Sequence, residues 1–205
     1  MTEFKKEESA RPSSGRAFLS DSKKQIRSTP SLRGIAVPPL KAQLIFWPLM
    51  VFGLALDLWT KKAVFDFLEH QPHNSYSIID GVLQFVRALN DGAAFGLFSG
   101  RPYLLGAVSI IALVAIITIF LFSESERRVV HIALGLFAAG VCGNFYDRVF
   151  NDGMVRDFID VVYWPGKHWP AFNVADSLLC IGVGLMIISC ILTDKSPPEH
   201  AQQHK

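Results

Sequence analysis

Four long apolar runs divide this chain, and they constrain its fold more than any other feature. A helix needs about 20 mostly apolar residues to cross the hydrocarbon core of a bilayer. Residues 43–59, 102–122, 129–146 and 172–192 each approach that length. The second run holds no charged side chain, while the first and third turn polar at one end. Composition sharpens the point. Half of the 205 residues are hydrophobic, and of the 20 Lys/Arg and 18 Asp/Glu only 21 fall within residues 44–193. Such a middle stretch excludes a disordered chain, a disulfide scaffold and a free cytosolic enzyme. Cys142, Cys180 and Cys190 lie inside apolar runs without zinc or redox spacing, and read as small buried hydrophobes.

The expected fold class is a mainly α membrane protein, with four transmembrane helices and a small extracytoplasmic β-sheet over the outer face. Residues 1–42 read as a disordered basic cytoplasmic tail, since the first 41 hold nine Lys/Arg against four acids. Residues 43–193 form the four-span domain and 194–205 a cytoplasmic C-terminal tail. Some forty polar residues precede the first span and no small-x-small site follows it, so it reads as an uncleaved anchor. The basic tail, Arg127 and Arg128 between spans two and three, and Lys195 after span four set an N-in, C-in topology.

That topology gathers the polar intrusions on one outer side: Asp57, the 61–101 loop, Asn144, Asp147, Arg148, the 149–171 loop, Asn173 and Asp176. Ionisable residues at membrane depth are costly and mark function. Within the outer loop, Asp80-Gly81 separates two β-prone runs, which predicts a short hairpin on the bilayer surface. His131 stands alone at the inner end of span three and reads as a packing or interface residue.

Asp176 lies in the first turns of span four. Asn173, three residues earlier, suits an N-cap that accepts the Asp176 amide. Asp157 and Asp160 sit in a segment that reads as an interfacial strand, where residues three apart point to opposite faces. Asp157 is then the inward acid and Asp160 meets water. Two carboxylates in a half-buried site share one proton near neutral pH, which permits aspartic-protease chemistry. Asp57 and Lys61, at i and i+4, form a pair of structural type. Two other classes stay open from the residues alone. Asp157, Asp160 and Asp176 suit a Mg²⁺ site in a lipid-phosphate enzyme, and buried acids also suit the ion path of a non-enzymatic transporter or assembly factor.

Five blocks occur in order on the four-span frame: Asp57-Leu58-Trp59-Thr60-Lys61; Asn90-Asp91-Gly92-Ala93-Ala94-Phe95-Gly96; Gly143-Asn144-Phe145-Tyr146-Asp147-Arg148; Arg156-Asp157-Phe158-Ile159-Asp160; and Phe172-Asn173-Val174-Ala175-Asp176-Ser177. Over residues 44–193 the chain closely resembles the bacterial signal peptidase II family of four-span aspartic endopeptidases. The resemblance implies that Asp157 and Asp176 are the catalytic dyad. It also implies that Asn90, Asn144, Arg148 and Asn173 bind substrate or orient the dyad, with Asp57 and Lys61 in support. The implied partners are membrane lipid and diacylglyceryl-modified prolipoproteins, cut before the lipidated cysteine. No metal, other cofactor or nucleic acid is implied, and a monomer is expected. The implied location is the bacterial inner membrane, with the active site on the extracytoplasmic side. The chain departs from the family pattern at Arg156, where an aliphatic residue is usual. It also carries an extra residue between Asn144 and Asp157, which a turn at Asn151-Asp152-Gly153 would absorb.

Overall fold

A computed structural model describes residues 38–193 apart from 94–96, 124 and 126. The basic tail over 1–37, the C-terminal tail over 194–205 and residues 94–96 of the outer loop lie outside the described residues. Among the described residues, four helices are long and apolar enough to cross a membrane. They are α1 Leu40–Glu69, α2 Pro102–Phe122, α3 Arg128–Phe150 and α4 Val174–Thr193. Between α1 and α2 stand β1 Ser75–Ile79 and β2 Leu83–Asn90; between α3 and α4 stand β3 Val155–Trp164 and β4 Lys167–His168. Both pairs leave the bundle at the same end and join in one sheet of order β1-β2-β3-β4.

The span over 102–122 coincides with α2. By contrast, α1 runs ten residues past the expected end at residue 59. Apolar composition stops at the membrane surface, but helical periodicity does not. Ala42, Phe46, Gly53, Asp57, Lys61, Phe65 and Leu68 are buried at spacings of roughly one or two turns, so one face continues beyond the greasy run. At about 1.5 Å per residue, the 30 residues of α1 exceed a hydrocarbon core of about 30 Å. Residues 61–69 are therefore helix rather than loop. The predicted hairpin is present, closed by Gly81 at φ 71° and by the Ser77 hydroxyl donating to Asp80 at 2.7 Å.

Helix α3 packs against α1, α2 and α4. Its buried face is rich in Ala and Gly, including Ala138, Ala139, Gly140 and Gly143, which lets neighbouring helices approach closely. A Cβ at Gly143 would collide with the buried Asp57 carboxylate. Gly143→Ala is therefore expected to cost about 1–3 kcal/mol or more through overpacking. Thermal unfolding in detergent measures this, and an unchanged midpoint would show that α1 and α3 do not meet there so tightly.

At the bundle end away from the sheet, Phe46 stacks on Phe120 with centroids 4.0 Å apart. His131 is buried beside that pair, edge-on to Phe120, with Nε2 3.0 Å from the Ser125 carbonyl. It is a packing residue, one of the two roles read from sequence. The cysteines are not all buried as expected: Cys180 and Cys190 are exposed on α4, and Cys142 is half-buried. On a bundle surrounded by lipid, an apolar side chain gains nothing from facing inward.

Candidate active site

The site is assembled where β3 meets the start of α4. Phe172, just before α4, bridges to Ile159 of β3, so the strand and the helix N-terminus lie side by side. Asp157 on β3 and Asp176 on α4 are thereby brought to a common partner, Asn173. The Asn173 side-chain amide donates to Asp157 Oδ1 at 2.6 Å. Its Oδ1 accepts the Asp176 backbone amide at 3.0 Å, and its own backbone amide donates to Asp176 Oδ2 at 3.2 Å. The expected N-cap is thus present, with a reciprocal bond from the capped acid. Asp157 is buried and Asp176 half-buried.

Asn144 of α3 is the second joint. Its Nδ2 donates to Asp176 Oδ1 at 2.8 Å, while its Oδ1 accepts from Asn173 at 3.1 Å and from Lys61 Nζ at 3.0 Å. Asn90, the last residue of β2, donates to Asp157 Oδ2 at 3.0 Å, and its Oδ1 accepts the Gly92 amide at 2.9 Å. That reach depends on a β-bulge. Phe85 pairs with Ile159 but Ala88 pairs with Asp157, so three steps on β2 oppose two on β3. The extra residue turns Asn90 onto the Asp157 face, where a regular register would have put Leu89.

Burial dominates the protonation of Asp157, pushing its carboxyl up to about 6. The Asn90 hydrogen bond opposes the rise, the neighbouring Asp176 charge adds to it, and Asn173 and Lys61 work against it.

Asp57 and Lys61 lie fully buried beneath the pair. Lys61 Nζ is 2.8 Å from Asp57 Oδ2 and 3.2 Å from Asp147 Oδ2, and Asp57 Oδ1 accepts the Ala175 amide at 2.8 Å. One ammonium therefore ties α1 to α3, and Asp57 ties α1 to the first turn of α4. Arg148 donates to the carbonyls of Asn144 at 3.2 Å and Gly92 at 3.1 Å, pinning the loop after β2 over the site. All eight residues singled out from sequence thus lie in one connected cluster.

One expectation needs correcting. Asp160 does not meet water freely. It is buried, accepting from Gln84 at 2.5 Å and lying 2.8 Å from His168 Nδ1. β4 folds back on β3 and covers it. Asp160 does point away from Asp157, as strand alternation requires. Sequence reading also missed what Asp147 does: it is fully buried and accepts from Arg156 Nε at 3.1 Å, Nη2 at 2.6 Å and the Arg156 amide at 3.0 Å. The available signal was its position four residues after Gly143, on the same helix face. Among the described residues, no three His, Cys, Asp or Glu side chains come together in a way that would hold a metal ion.

Four membrane helices and a site of converging carboxylates at one end of the bundle belong to a multi-pass membrane protein of the aspartic-peptidase type. Residues 49–192 match the family model for signal peptidase (SPase) II. The chain is similar to the lipoprotein signal peptidases of Geobacter metallireducens, at 37% identity across 74% of this chain and 93% of that one, and of Halalkalibacterium halodurans, at 34% across 74% and 95%. It also superimposes on a bacterial membrane enzyme solved by the in meso method at 2.3 Å resolution, with TM-score 0.66 and 32% identity over 82% of this chain and 97% of that one. The chain belongs to the signal peptidase II family.

Proposed function

We propose that Asp157 and Asp176 are the catalytic pair with which this aspartic peptidase removes the signal peptide of prolipoproteins. The observation that carries the assignment is their shared hold on Asn173, with Asn144 bracing Asp176 and Asn90 bracing Asp157. With one proton between them, one carboxylate takes a proton from water as it attacks the peptide carbonyl and the other donates to the carbonyl oxygen. No covalent intermediate forms. Asn90, Asn144 and Asn173 orient the pair, Arg148 holds the β2 loop at the substrate's entrance, and Asp57 with Lys61 fixes the helices beneath. The Arg148 Nε is buried without a hydrogen-bond partner among the described residues, which leaves a donor for a substrate carbonyl.

The substrate is a prolipoprotein whose cysteine already carries diacylglycerol, cut just before that cysteine. It enters laterally from lipid, and the sheet end of the bundle faces the extracytoplasmic side of the bacterial inner membrane, with both termini inside. The enzyme works as a monomer. The test is cleavage of a diacylglyceryl-modified lipobox peptide by the protein in detergent, with and without EDTA. Cleavage before the lipidated cysteine, indifferent to EDTA, is the expected result; dependence on added metal would sink the reading.

The pH profile offers a second check. The Asn90 hydrogen bond favours ionised Asp157, so its loss raises the Asp157 pKa further from about 6. kcat/KM falls on the basic side as the shared proton leaves, and in Asn90→Ala that limb is expected at higher pH. A limb that stays or moves down would remove Asn90 from the pair's environment.

A further inference from the structure

Arg156 supplies the second cation in direct contact with the buried carboxylates beneath the dyad. Asp57, Lys61 and Asp147 have fully buried side chains, two carboxylates against one ammonium. The second cation is Arg156, which reaches Asp147 with Nε and Nη2 while its own backbone amide bonds the other oxygen of the same carboxylate. We infer that Arg156 is a positioning residue of the peptidase: together with Asp147 it clamps the start of β3 to α3 and so fixes where Asp157 stands. This rests on the assignment of Asp157 to the catalytic pair.

Three features carry the inference. Asp147 is held from the strand by both backbone and side chain of one residue, and that residue immediately precedes Asp157. A carboxylate gripped at both oxygens leaves the strand little freedom to slide or twist. The same carboxylate is shared with Lys61, which continues to Asn144 Oδ1, and Asn144 bonds Asp176. Without Arg156, Lys61 alone stays in ion-pair contact with the two buried carboxylates and is drawn from Asn144, so both acids of the pair lose alignment at once. Finally, the fold makes room for a long side chain. Arg156 lies on the strand face opposite Asp157 and lines a cleft of about 470 Å³ shared with Trp59, Lys62 and Asp66 of α1 and Tyr146 of α3. Its side chain is 21% exposed, so the guanidinium reaches Asp147 from the cleft without displacing the core.

The test uses the full-length protein in detergent and a diacylglyceryl-modified lipobox peptide. It compares wild type, Arg156→Met, Arg156→Lys and the double variant Arg156→Met/Asp147→Asn, with Asp157→Asn as reference. Misplacing a reacting group by about 1 Å costs on the order of 100-fold. Arg156→Met is therefore expected to lose tenfold or more in kcat at unchanged KM. Arg156→Lys, which keeps the charge but not the two-nitrogen grip, is expected to fold like wild type and recover part of that loss. The double variant, neutral again, is expected to regain thermal stability but not kcat. Arg156→Met with wild-type kcat overturns the inference, as does a rise in KM alone, which would put Arg156 on the substrate. Should Arg156→Met fail to fold, Arg156→Lys decides: full wild-type kcat with the grip broken overturns the clamp. Wild-type activity in Asp157→Asn would instead overturn the assignment beneath it.

Discussion

Asp157→Asn and Asp176→Asn are each expected to lower the rate of signal-peptide removal by about 10³-fold or more while leaving the protein folded. General acid–base catalysis by one positioned group contributes roughly 10²–10⁴-fold, and groups acting as a unit lose most of their effect when either is removed. Asparagine keeps the shape of the side chain and removes its proton chemistry. The stability readout separates this from simple damage. Asp157 is raised from its ordinary 3.8 to about 6 by burial. A raised native pKa means that the ionised acid opposes folding: stability is fully present below about pH 4 and lost as pH rises through about 6. At neutral pH the cost is about 3 kcal/mol. A neutral Asn escapes that cost, at the loss of one acceptor to Asn90 or Asn173. Asp157→Asn is therefore expected to unfold at the wild-type temperature or above it at pH 7.5. Activity that survives in Asp157→Asn but not in Asp160→Asn would move the second acid across the strand.

Lys61→Met is expected to be the most damaging single change to the frame. Its ammonium touches Asn144 Oδ1 at 3.0 Å, Asp57 at 2.8 Å and Asp147 at 3.2 Å, and both carboxylates and the ammonium are out of contact with solvent. Removing one member of a buried ion cluster costs about 3–5 kcal/mol, because the remaining charges stay desolvated and unpaired. For a domain of this size that corresponds to a fall of roughly 10 °C or more in the unfolding midpoint. Activity should fall with it, since the Asn144 side-chain carbonyl loses one of its two donors, keeping Asn173 alone, and with it part of what sets the amide on Asp176. Thermal unfolding in detergent and kcat on the lipidated peptide check both parts. A midpoint within a degree or two of wild type would mean that Lys61 holds nothing together.

Much of this protein was legible along the chain. The four spans could be read because lipid imposes a length and an apolar composition that no soluble helix needs, and α2 ends where its hydropathy ends. The turn at Asp80-Gly81 and the cap at Asn173 are local devices that a few residues specify. The five blocks named the cluster, since Asp157, Asp176, Asn90, Asn144, Arg148, Asn173, Asp57 and Lys61 all lie within it. What the chain order could not carry is which faces meet. Hydropathy ended the first span at residue 59, yet α1 continues to Glu69 because its buried face, not its composition, runs on. The bulge in β2 that turns Asn90 toward Asp157 is one residue of register, set only by pairing with β3. Arg156 read as a departure without a role, and its meaning came from Asp147, nine residues away across a turn and buried on another element. Asp160 read as solvated until β4 folded back over it. Local periodicity determines elements; the balance of buried charge and the register of a sheet are properties of elements brought together, and only the tertiary structure decides them.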